Sequence, residues 1–156
     1  MQDVYNIMKP VFEGPIFKAA LREASLFRQV HVAAAVRKES DSSTRGLQTI
    51  RAAQQFTTAI IEAMVVEHVP DEVIQGLGFH SFLFFGINPN LYSMAILAVN
   101  GVEEYSEERV DEILKEHSKV SLDDILRGEE NSMDILIWMY HIGNNLATYL
   151  MKCHQG

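Results

Sequence analysis

A single cysteine, Cys153, excludes an internal disulfide, so the fold must be held by non-covalent packing. Prolines are few, 4 in 156 residues, and this leaves long stretches of chain free to be helical. The usual local metal-ligand spacings are missing from the sequence. No histidine has a Glu or Asp three residues before it, and there is no His-x-x-x-His, no His-Glu-x-x-His, no cysteine pair and no calcium loop. Gly-x-Ser-x-Gly, P-loop and dinucleotide fingerprints are absent too. Gly76-Leu77-Gly78 supplies only two of the three glycines a dinucleotide turn needs. No cofactor is therefore expected.

The Met1 end carries no basic segment followed by an apolar one, so no secretory signal is read there, and with one cysteine this predicts a reducing, cytoplasmic setting. The apolar stretch Met133–Met151 is interrupted by Asp134, His141, Asn144 and Asn145. Charged and amide groups at that density are costly in lipid, which predicts a buried helix and no membrane span. Clustered Lys and Arg are also lacking, which argues against nucleic acid as a partner.

What is present is ordinary globular composition, 47% apolar and 22% charged, in a length that suits one domain. Net charge is −8 and unevenly placed. Residues 1–60 hold 8 Lys/Arg against 5 Asp/Glu, whereas residues 61–156 hold 5 against 16. Within 103–134 there are 12 acidic and 4 basic residues. A strongly acidic segment of this kind is either a solvated face or an electrostatic docking surface for a protein partner. The complementary halves, net +3 and −11, also predict a homodimer.

The periodicities read as helix throughout. A short helix over Asp3–Lys9 is expected to end at Pro10, with a turn at Gly14-Pro15. A long helix follows from Ile16 to Lys38, with the stripe Phe17, Ala20, Ala24, Phe27. Beyond Val30 it is apolar on every side (Val32 to Val36), which predicts a central, enclosed position. Glu39–Ser43 reads as a polar loop before a second long helix over Thr44–His68, with Leu47, Ile50, Ala53, Phe56, Ile60 and Met64 on one face. Asp71 and Glu72 suit the first turn of a short helix after Pro70. The aromatic run Phe79–Phe85 fits helix or an isolated strand, and helix is preferred because no partner strand is found. Asn88, Pro89 and Asn100-Gly101 punctuate a helix that is apolar nearly all round. Ser106 caps a helix to about Ser118, and Ser121 and Asp124 frame one that stops at Gly128. Asn131 and Asp134 open the last, running to about Cys153. The fold class is all-α, an irregular bundle of six to eight helices forming one domain.

Six residues stand out as binding candidates. On the last helix Asp134, Trp138, His141, Asn145, Thr148 and Lys152 share a stripe, with Asn144 beside it. Trp and His are amphipathic anchors and Asn fixes orientation, so Trp138, His141, Asn144 and Asn145 predict a binding surface; the plainer reading is a wet face. His31 and His80 sit in apolar runs, where each reads as a ligand contact or as a core histidine bonded to its neighbours. His68 and His117 fall at helix C-termini, where the helix dipole favours a cation. The leading functional expectation is a non-enzymatic protein-interaction or regulatory module with an acidic docking surface. The alternatives are a sensor that holds a small apolar ligand or haem in a Phe- and Met-lined pocket, and an enzyme with a dispersed site around His141 or His80.

Overall fold

The computed structural model describes residues 2–37, 42–77, 89–117, 120–128 and 131–141, the side chains of 42–50 and 89 excepted. Among the described residues there are eight helices and no strand. They are α1 (Gln2–Glu13), α2 (Pro15–Arg37), α3 (Ser42–Val66), α4 (Asp71–Gly76), α5 (Pro89–Val99), α6 (Glu107–Glu116), α7 (Leu122–Arg127) and α8, described over 132–141. The aromatic run Phe79–Phe85, His80, Asn88, Asn144, Asn145 and Cys153 lie outside the described residues, as do the side chains of Leu47 and Ile50.

The core is threaded by a column of aromatic rings that crosses five helices. Phe12 of α1 meets Phe17 of α2 edge-on at 5.1 Å, and Phe17 meets Phe56 of α3 at 5.6 Å. Phe56 stacks on Tyr92 of α5 at 6.2 Å, and Tyr92 meets Tyr140 of α8 edge-on at 6.5 Å. Such offset and edge contacts match positive ring edges to negative faces. They join α1, α2, α3, α5 and α8 around one interior.

Alpha-helix α5 runs through that interior as its sequence predicts. Leu91, Tyr92 and every residue from Met94 to Ala98 are buried. The left-handed Gly101 (φ 72) ends it, its N–H donating to the Ala98 carbonyl. The predicted caps further along are equally plain. Ser106 Oγ accepts the Arg109 N–H at 3.2 Å, and Ser121 Oγ accepts the Asp124 N–H at 3.1 Å. Asn131 and Asp134 satisfy each other's backbone N–H groups reciprocally, at 2.9 and 3.3 Å. Gly128 (φ 75) closes α7 against α2, where Gln29 lies so close that a β-carbon would sit 2.8 Å from its amide nitrogen.

Three expectations are corrected. Pro10 does not end the first helix, which continues to Glu13 with Pro10 inside it. Losing one backbone bond costs about 3 kcal/mol, but the extra turn seals Val11 and Phe12 in the core, and burial of two such side chains offsets that loss. The chain then bends at Gly14 into α2, where Pro15 takes the first position. Ser42 and Ser43, expected in a loop, belong to α3. The third correction concerns the second half of α2. Its residues from Val32 to Ala35 are only half-buried, Val30 is 65% exposed and Val36 is 53% exposed. The stretch is not central: α3, α7 and α8 cover one side of α2 and leave its outer side to solvent.

Candidate functional site

The site is built on Arg28. It follows Ala20 and Ala24 at four-residue spacing, on the buried stripe of α2, and is itself only 7% exposed. A guanidinium there must be compensated. Its Nη1 donates to the backbone carbonyl of Asp134 at 3.2 Å, and its carbon lies 5.7 Å from the centre of the Trp138 ring, a cation–π distance. Arg28 therefore ties α2 to the first turns of α8.

Trp138 is half-buried against this tie. Its ring lies 5.9 Å from Phe27 and 6.3 Å from His31, and His31 stacks on Phe27 at 5.8 Å. The helical stripe that carries Trp138 is thus divided by its environment. Trp138 turns toward α2, Asp134 is drawn in by its cap and by His117, and His141 stands exposed. His31 belongs to the same aromatic group, half-buried.

The C-terminal end of α6 supplies the opposite wall. His117 caps the helix, its N–H donating to the Ile113 carbonyl, and its Nδ1 lies 3.3 Å from the Asp134 carboxylate. Sequence periodicity assigns His117 only to the helix dipole; the partner lies 17 residues on and is brought there by the turn through α7. Between these elements lies an open cleft of about 420 Å³, lined by Arg28, Leu114, Lys115, His117, Val120, Asp134, Ile137, Trp138 and His141. It brings Trp138 and His141 together. His68 is elsewhere, exposed and left-handed (φ 55) just beyond α3. Among the described residues no three metal-ligating side chains converge.

The outer face of α6 differs from its cleft end. Glu107, Glu108, Asp111, Glu112 and Glu116 are exposed, joined on α7 by Asp123. Arg109 bridges Glu112 at 2.9 Å and Glu116 at 3.4 Å, and these hydrogen bonds raise its already high pKa. Pairs this exposed contribute little to stability.

Sequence reasoning missed Arg28, which reads as a surface charge until its four-residue spacing from Ala20 and Ala24 is taken literally. No helix among the described residues is long and apolar enough to cross a membrane. No protein-family model, curated protein or solved structure matches the chain.

Proposed function

We propose that this chain is a non-enzymatic protein-interaction module with an acidic docking surface on the outer face of α6, and that a second face, the outer side of α2 together with α7, pairs two copies of it. The observation that carries the reading is an exposed stripe at four-residue spacing on α2: Lys18, Arg22, Leu26 and Val30. Leu26 and Val30 are each 65% exposed. Alongside, α7 presents a second aliphatic pair, Leu122 and Leu126, which are 48% and 40% exposed and flanked by Asp123 and Asp124. Gln29, adjacent to Val30, meets Gly128, so the two helices lie side by side at this point.

Apolar side chains ringed by charge are the composition of an interface with a dry centre and a polar rim. The partner best matched is a second copy. One face offers cations at Lys18 and Arg22 and an anion at Asp123, Asp124 being bridged by Arg127 at 2.8 Å, so a two-fold axis lets each copy's cations meet the other's carboxylate while the aliphatic pairs meet at the centre. The acidic outer face of α6 stays free in such a pair for a basic protein.

Light scattering at tens of micromolar tests this. The expected mass is that of a dimer, and the double substitution Leu26→Asp with Val30→Asp gives a monomer with unchanged helical circular dichroism. A monomeric wild-type protein, or a doubly substituted protein that still pairs, refutes the reading.

A further inference from the structure

Asn100-Gly101, the stop of α5, is the only Asn-Gly pair in the chain. Asparagine is thermolabile, and most so before glycine, which has no β-carbon to hinder attack of its nitrogen on the preceding amide. The reaction needs only water and solvent base. The Gly101 nitrogen gives up its proton and bonds to Cγ of Asn100, and ammonia leaves. The succinimide ring so formed adds water at either carbonyl, giving aspartate or isoaspartate at that position. Both residues are exposed, and nothing lies within 4 Å of where a Gly101 β-carbon would stand, so water reaches the pair freely.

Hydrogen bonds hold the reacting groups apart. The Asn100 amide nitrogen donates back along the helix to the Ile96 carbonyl at 2.8 Å and lies 3.5 Å from Met133 Sδ. The Gly101 N–H donates to the Ala98 carbonyl and the Val102 N–H to the Leu97 carbonyl, each at 3.0 Å, the paired closure of a helix that ends in a left-handed glycine. The chain just beyond is clamped by α1. The Tyr5 hydroxyl donates to the Val102 carbonyl, the Gln2 side chain donates to the Glu103 carbonyl and accepts the Tyr105 N–H, and Lys9 Nζ lies 3.4 Å from the Glu103 carboxylate. We infer that Asn100 is a deamidation site gated by the docking of α1, closed while α1 holds residues 102–105 and open when this corner loosens. The change is one-way. A carboxylate cannot donate to the Ile96 carbonyl, and it puts a negative charge at the negative end of α5, just ahead of Glu103 and Glu104. The closure does not re-form, and the chain keeps a permanent record of the opening.

The full chain is held at mildly alkaline pH, and peptide mass mapping follows conversion of the Asn100 amide to a carboxylate. The folded protein is expected to convert at least about a hundredfold more slowly than the same chain in denaturant, because only its locally opened fraction reacts. Gln2→Leu and Tyr5→Phe each remove about one hydrogen bond from the clamp and should speed conversion in the folded protein on the order of fivefold. Ala52→Gly, between α2 and α3, weakens the fold by a similar amount away from this corner and should leave the rate unchanged. Asn100→Asp, which mimics the product, should lower the melting temperature by about 2–4 °C. The inference is overturned if the folded protein converts as fast as the unfolded chain, if neither α1 substitution changes the rate, or if Ala52→Gly speeds it as much as they do. An Asn100→Asp protein that melts with the wild type overturns the one-way character of the change. Because dimer mass is read separately, failure here does not bear on the pairing face.

Discussion

Two stretches of this chain look alike as sequence and end in opposite places. Alpha-helix α5 and the second half of α2 are both apolar nearly all round. In the first, everything from Met94 to Ala98 is sealed; in the second, Val30 and Val36 are more than half exposed. The difference lies in what surrounds them. The column through Phe56, Tyr92 and Tyr140 passes through α5, and α1 and α6 close over it. Helix α2 is covered on one side only. An all-round apolar pattern therefore states that a helix needs cover, and leaves open whether its own chain provides it. Where it does not, the uncovered side becomes the natural place for another molecule.

That contrast breaks most clearly under charge. Ala95→Asp places an unpaired carboxylate in the sealed interior, so a loss of several kcal/mol, about 4 or more, is expected in denaturant unfolding. A midpoint near that of the wild type would mean that α5 is not enclosed.

The sealed region should also be sensitive to high pH. Burial pushes the Tyr5 phenol up to about 12, with Glu13 and Glu103 adding to the rise, and its hydroxyl donates to the Val102 carbonyl. Burial raises the Tyr92 phenol as well. A raised acid favours the neutral form in the folded state, so stability is complete below the unfolded value near 10 and falls as pH climbs through 12. Thermal melts across that interval should drop, and Tyr5→Phe should reduce the drop.

A smaller effect of opposite sign is expected at Tyr92. Its buried hydroxyl has no hydrogen-bond partner among the described residues, so Tyr92→Phe removes an unsatisfied polar group and should stabilise by about 1 kcal/mol. A destabilised variant would show that the hydroxyl is satisfied after all. The smallest effect belongs to the open region. Val30→Asp should change monomer stability by no more than about 0.5 kcal/mol, and a large loss there would erase the distinction between the two helices.

The caps were legible in the sequence because their chemistry is local. Ser106 and Ser121 bond the third residue on, and Asn131 and Asp134 bond each other, so spacing alone locates them. The all-α class and the enclosure of α5 follow from similar reasoning. Pro10 was misleading because tertiary burial of Val11 and Phe12 outweighed a local rule. At the candidate site, the stripe of Trp138 and His141 is visible, but its division is not. A stripe on one helix carries no information about which neighbour lies against it, and Phe27, Arg28 and His31 are more than a hundred residues away in sequence. The pairing of His117 with Asp134 is invisible for the same reason, since it depends on the path taken by α7.

The polar ties between the ends of the described chain carry a kinetic consequence. Gln2 bonds the backbone of Tyr105, Tyr5 bonds Val102 and Arg28 bonds Asp134, separations of 103, 97 and 106 residues. During synthesis, α1 and α2 are made about a hundred residues before these partners and can pair with each other while the partners do not yet exist. At a translation rate of about 5–20 residues per second, the wait lasts on the order of 5–20 s. Throughout it only α3 can cover α1 and α2, and the surfaces that α5 and α8 later close face water and other chains. The first two helices are thus the aggregation-prone part of the nascent chain, and chaperone contacts should concentrate on them until the last third of the sequence arrives.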